Sequence, residues 1–139
     1  MVLDSNIIIK LVIAEPGSDE ARSYVKEALK DGRSLYTVEM ALAEGLNTLW
    51  KHVKLHEDLK EEEAKSAAQD LIEIYDRLNI LTIRELFDDA IALALTWNMT
   101  VYDSIYIAAA RKLKAILYTA DQKLYNASKN IASSELLSF

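Results

Sequence analysis

The chain has no cysteine, one proline and only three glycines in 139 residues. Without cysteine there is no disulfide and no thiolate metal site. No apolar run approaches the ~18 residues that a membrane span needs, so no membrane association is expected. The first apolar stretch begins at Met1, which leaves no room for a secretory signal, and cytoplasmic residence is the expectation. Gly-rich phosphate loops, nucleophile elbows and Cys/His pairs are all missing. Histidine is scarce. His52 and His56 are four residues apart and can share a helix face, yet no third ligand stands near them and no functional His site is expected.

Positive charge is also short. The formal net charge is −6, which counts against a generic nucleic-acid coater. It does not exclude a nuclease, because acids that converge on divalent cations are neutralised once the metal binds. Lys10, Arg22, Lys51 and Lys54 are scattered among acids, so weak nucleic-acid binding without metal is expected. With 51% hydrophobic and 27% charged residues, the composition is that of an ordinary globular protein, and a single domain over residues 1–139 is expected.

What is present is organised around Met1-Val2-Leu3-Asp4-Ser5-Asn6-Ile7-Ile8-Ile9. Val2 and Leu3 read as the end of a buried strand that runs into one carboxylate. Ala115-Ile116-Leu117-Tyr118-Thr119-Ala120-Asp121 repeats the pattern. Parallel neighbours would bring both carboxylates to the carboxyl edge of a sheet, where open α/β folds bind ligands.

Between these two stretches, apolar periodicity predicts alternating elements. A short helix covers residues 7–14. A second runs from Ser18, read as its cap, to Gly32, with Ala21, Tyr24, Val25, Ala28 and Leu29 on one face. Residues 34–37 form a short strand, with Thr37 capping a long helix to about Val53. The Glu61–Glu63 run reads as the solvated first turn of a helix ending near Leu78. A strand is predicted over residues 79–83 and a helix over 87–97, with Ala90, Leu93, Ala94 and Trp97 inward. Thr100-Val101-Tyr102-Asp103 matches a capping pattern that opens another helix. The strand at 115–119, a turn of helix around 122–127 and a weak strand near 130–132 complete the chain. Strands alternating with helices argue for a parallel sheet covered on both faces.

Of the 22 acids, position selects four. Asp4 and Asp121 end strands, Asp103 opens the helix before the last of these, and Glu44 flanks the apolar stripe of the helix after the second strand. Asp103 also fits a plain capping acid, Asp121 a turn residue and Glu44 a boundary charge. Asp4 is harder to explain away, because an unpaired buried charge is costly. Four carboxylates brought together raise one another's pKa values and need cations to stay ionised. Oxygen donors alone suit Mg²⁺ or Mn²⁺ rather than Zn²⁺. Metal-assisted phosphodiester hydrolysis uses such a set.

Leu3-Asp4-Ser5-Asn6, Ala43-Glu44 with Leu46-Asn47, Tyr102-Asp103-Ser104-Ile105-Tyr106 with Ala108, and Leu117-Tyr118-Thr119-Ala120-Asp121 together resemble the PIN-domain ribonucleases, specifically toxins of the VapBC type. The resemblance covers nearly the whole chain. It implies a three-layer α/β/α sandwich around a parallel sheet of order 3-2-1-4-5. It implies an acidic metal site of Asp4, Glu44, Asp103 and Asp121, supported by Asn6 and Thr119, although local turn chemistry also explains the latter two. Glu39 competes with Glu44 for the second acid; as a first-turn residue it is also explained by the helix dipole. Further implications are an RNA substrate, homodimers, and a cognate antitoxin that blocks the site with a segment often carrying Arg. Ile9, Ile13 and Tyr24 are candidates for the antitoxin groove, although for each of them ordinary core is the preferred reading.

Two other functions compete. A phosphatase-like phosphoryl-transfer domain wants Asp-x-Asp after its first strand, where this chain has Asp4-Ser5-Asn6. A receiver domain wants an acidic pair and a late-strand Lys, and neither is evident. A catalytically silent binding module with the same fold remains open.

Overall fold

The computed structural model describes residues 1–139. Five parallel strands form one sheet in the order β3-β2-β1-β4-β5. They are β1 (Val2–Leu3), β2 (Tyr36–Val38), β3 (Asn79–Leu81), β4 (Leu117–Thr119) and β5 (Ser134–Leu136). The helices are α1 (Ser5–Val12), α2 (Ser18–Lys30), α3 (Met40–Lys54), α4 (Glu61–Arg77), α5 (Ile83–Trp97), α6 (Val101–Leu113) and α7 (Gln122–Ser128). The expected three-layer architecture and strand order are both present.

β1 is only two residues long, yet it holds the centre of the sheet between β2 and β4. Val2 and Leu3 are fully buried, as a central parallel strand requires. The connections run outward from β1 in both directions, so the switch point lies between β1 and β4. α1 packs with α2, α3 and α4, while α6 packs with α5 and lies on β1, β2 and β4. All seven residues from Ser104 to Ala110 are buried. A helix apolar all round sits inside, and the small side chains of Ala108, Ala109 and Ala110 allow close approach.

Several local expectations are corrected. Thr37 does not cap α3; it lies in β2, buried, and its hydroxyl donates to the Leu3 carbonyl at 2.7 Å. Ser18 is not the cap of α2. That position belongs to Gly17 at φ 90°, where an added Cβ would also stand 2.9 Å from Phe139. Ser18 instead braces the preceding loop, accepting from the Glu15 amide and donating to the Ile13 carbonyl. Ile83 is not in β3: Thr82 and Glu85 form a capping box that starts α5 there. The last strand falls at 134–136 because the amides of Ile131 and Ala132 both turn back to the Ser128 carbonyl.

Ile9 and Ile13 belong to the core cluster, and Tyr24 stacks on Tyr118 with centroids 4.1 Å apart. Ile9 and Ile13 thus build the interior, and Tyr24 is partly buried against it. Trp97 is 52% exposed although it follows Leu93 by four residues and Ala90 by seven, on the inward face of α5. No helix is long and apolar enough to cross a membrane.

Candidate functional site

Asp4 follows β1 directly and is 4% exposed. Its Oδ2 accepts two hydrogen bonds, from Thr119 Oγ1 at 2.6 Å and Asn6 Nδ2 at 2.7 Å. Thr119 is the last residue of β4, so the first of these bonds spans the switch point. Both donors do a second task. Thr119 Oγ1 accepts from the Asp121 amide at 3.0 Å, and Asn6 Oδ1 accepts from the Ala120 amide at 3.0 Å. The turn that carries Asp121 is thereby tied to the residue pair that carries Asp4.

Burial pushes the Asp4 carboxyl up to about 6; the Thr119 bond opposes this, and the negative charges of Glu44 and Asp121 add to it. Glu44 sits on the flank of α3, half-buried, and its Oε1 accepts from the Tyr106 hydroxyl at 2.6 Å. The same hydroxyl accepts from the Ser5 amide at 3.3 Å. Burial, then the charges of Asp4 and Glu44, hold the Tyr106 phenol well above its ordinary range, so it stays a neutral donor.

Asp121 caps α7, its Oδ1 accepting from the amides of Lys123 and Leu124. The local role expected of it as a turn residue thus accounts for one oxygen. Asp103 lies in the first turn of α6, where Thr100 Oγ1 accepts from its amide. The box is one-sided: the Asp103 carboxylate makes no hydrogen bond back. Burial raises the Asp103 carboxyl; the Lys123 ammonium lowers it and the Asp121 charge raises it.

Asp4 is thus the electrostatic neighbour of Glu44 and Asp121, and Asp121 links on to Asp103. No three of the chain's acids and histidines close into a ready-made ligand set.

Glu39 stands elsewhere. Its Oε1 accepts from the Ile83 amide and caps α5, so that a structural task accounts for it. His52 is held between Asp58 at 2.8 Å and Glu15 at 3.2 Å, and Glu15 in turn binds the buried Lys10 at 3.0 Å. The Glu61–Glu63 run is exposed, and Glu63 accepts from the Lys60 amide.

Tyr106 is the residue that sequence reasoning passed over. It stands in the Asp103–Ala108 motif, but no role follows from the motif alone. The available signal was a tyrosine inside a wholly buried helical run, where its hydroxyl must find a partner.

The PIN domain family model matches residues 1–130. Ribonuclease VapC3 of Pyrobaculum aerophilum is 36% identical over 124 residues, 89% of this chain and 91% of that protein. The fold is shared with VapBC2 from Rickettsia felis, solved bound to a DNA fragment from their promoter. The TM-score is 0.71 at 17% identity, over 99% of this chain and 98% of that one. FitAcB from Neisseria gonorrhoeae gives 0.64 at 14% identity, over 96% and 94%.

Proposed function

This chain belongs to the PIN-domain family, and from that membership and its carboxylates we propose that it is a metal-dependent endoribonuclease, the toxin of a type II toxin–antitoxin pair. The observation that supports this most is the buried Asp4 at the switch point, braced by two donors and charged neighbours. Asp4, Glu44, Asp103 and Asp121 would hold Mg²⁺ or Mn²⁺, since each offers carboxylate oxygen. When bound, the ion activates water and neutralises charge on the phosphate.

The chain's own residues supply position. Thr119 and Asn6 hold Asp4 through Oδ2, while Oδ1 accepts only from the Ser5 hydroxyl at 3.4 Å. Tyr106 fixes Glu44 and ties it to the start of α1. Asp121 keeps one oxygen beyond its cap, and the Asp103 carboxylate is free to bind. The test is incubation of purified, inhibitor-free protein with total RNA, with and without Mg²⁺ or Mn²⁺. Metal-dependent cuts at defined positions are expected. Intact RNA in both metals would reduce the chain to a silent binding module.

Tyr106→Phe tests the brace. Removing the hydroxyl strands the Ser5 amide and frees Glu44, so a loss of about 1–3 kcal/mol in stability is expected. Cleavage should fall at least tenfold in protein that remains folded, by analogy with other outer supports of metal ligands. An unchanged rate and melt would separate Glu44 from the chemistry.

The antitoxin's seat in this reading is the apolar groove of about 430 Å³ between α2 and α4, lined by Leu11, Val25, Leu29, Leu35, Ile74 and Leu78. Arg33 and Arg77 also line it and suit an amphipathic segment that carries acids. An antitoxin Arg entering the acid cluster would bind carboxylates through its planar fork. Antitoxin and Mn²⁺ should therefore compete in a titration; equal inhibitor affinity with and without saturating metal would rule out direct occlusion. For the homodimer, α5 offers Ile83, Phe87, Ile91 and Leu95, exposed at four-residue steps along one side. Light scattering should give twice the monomer mass, and Leu95→Lys should halve it; a monomeric wild type would remove this element.

A further inference from the structure

Beside the acid cluster, and sharing Asp103 with it, is a second cavity of about 370 Å³. Its other lining groups include Trp97, Asn98, Lys123, Asn126 and Asn130. The volume lies within the range of small-ligand sites, but the lining is unlike an apolar pocket. It combines one aromatic face, three side-chain amides and one ammonium.

Each of these groups is left available. Trp97 is on the inward face of α5, yet it remains half-exposed because it ends the helix over this cavity instead of over the core. The amides of Asn98 and Asn130 make no hydrogen bond within the chain. Asn126 accepts from Gln122 through Oδ1, which leaves its NH₂ to donate. Lys123 has no carboxylate within salt-bridge distance, although its charge acts on Asp103. Asn98, in the left-handed region at φ 52°, closes α5 and presents its side chain at the cavity.

We propose that this cavity is a subsite for one unpaired nucleotide of single-stranded RNA, next to the bond that is cut. An indole face stacks any base. Carboxamides carry both donors and acceptors, as the edges of an unpaired base require. An ammonium beside the acid cluster suits the adjoining phosphate. A paired base in a duplex would have its edge occupied and its faces stacked, so the site selects single strands. The subsite rests on the nuclease reading for its biological role, but its ligand chemistry stands on the cavity itself.

The experiment uses the full chain in EDTA, which prevents cleavage, with Trp50→Phe so that Trp97 is the one remaining tryptophan. Single-stranded RNA hexamers of each base are titrated against its fluorescence, beside a duplex and free mononucleotides. Saturable quenching by single strands, with one base preferred, is expected. Quenching by duplex and by mononucleotide should be at least tenfold weaker in affinity. Asn126→Ala with Asn130→Ala should flatten the base preference. In protein that retains Trp50, Trp97→Ala should weaken hexamer binding about tenfold, read by anisotropy of a labelled strand. Trp97→Phe, which keeps a ring, should restore most of it and guards against misfolding. No quenching by single strands, or mononucleotides that bind as well as hexamers, would overturn the subsite. So would variants that cut RNA at the wild-type positions with wild-type preference, and in that case the nuclease reading would stand. Quenching as expected in a protein that cuts no RNA with Mn²⁺ would refute the nuclease reading and leave the subsite.

Discussion

Asp4→Asn is expected to lower RNA cleavage at least ~100-fold, a larger loss than the supports of a ligand cause, and also to raise the melting temperature of the metal-free protein at neutral pH. The two effects have one cause. The folded protein holds the Asp4 carboxyl at about 6 against an ordinary 3.8. The native state therefore binds more protons than the unfolded state between about pH 4 and pH 6. Stability from this group is greatest below about pH 4, falls as pH rises, and is lost above about pH 6. The loss is roughly 3 kcal/mol at ~1.36 kcal/mol per pKa unit. Asn carries no charge and escapes it, while its carbonyl oxygen can still accept from Thr119 and Asn6.

Thermal melts of wild type and variant in EDTA should therefore nearly coincide at pH 4 and separate by several degrees at pH 7.5, the variant higher. Adding Mg²⁺ should stabilise the wild type and hardly affect the variant. Full activity of the variant in Mg²⁺ would refute the site. A lower melt at pH 7.5 would refute the burial cost. Asp70→Asn, on the exposed side of α4, is the control and should change neither.

Thr119→Val should have the next largest effect, and in the opposite direction for stability. Val fills the same volume, but it removes the donor to Asp4 Oδ2 and the acceptor for the Asp121 amide. Thr119 is fully buried, so no water replaces it. A loss of roughly 3 kcal/mol is expected from one charge-assisted bond and one stranded amide. The Thr119 bond holds the Asp4 carboxyl down, so its removal must move that carboxyl further up. The acidic limb of the cleavage profile should shift to higher pH. Thr119→Ser, which restores the hydroxyl, should bring back both the limb and most of the melt. A Val variant with an unmoved limb would show that the hydroxyl does not set the charge of Asp4.

The sheet was legible in the sequence because apolar runs ending in Asp4 and Asp121 mark parallel strands whatever their length. Boundaries were less so. β1 to β5 have two or three residues each, too few for periodicity to register. Thr82 outranked Ile83 in fixing the end of β3, because a reciprocal capping box outweighs β-propensity at one position. The acids could be nominated from position and the supports Asn6 and Thr119 from the resemblance, but the support of Glu44 could not. The hydroxyl of Tyr106 meets Glu44 across 62 residues of sequence, and no local pattern reports such a contact. Thr37 illustrates the same limit: a helix-cap residue by its neighbourhood, it binds Leu3 across 34 residues instead.

The braces of the acid cluster also have a consequence in time. Thr119 meets Asp4 over 115 residues, Asn6 meets the Ala120 amide over 114, and Tyr106 meets the Ser5 amide over 101. Contacts this remote form late, after the intervening chain has been closed into place. During synthesis, Asp4 emerges long before its partners. At ~5–20 residues per second, roughly ten seconds pass before Asp121 follows. Through that interval the growing chain lacks the bonds that orient Asp4. A chain cut short before β4 would lack both Thr119 and Asp121. The bonds that orient Asp4 and those that hold the Asp121 turn are then completed together, as β4 closes onto β1.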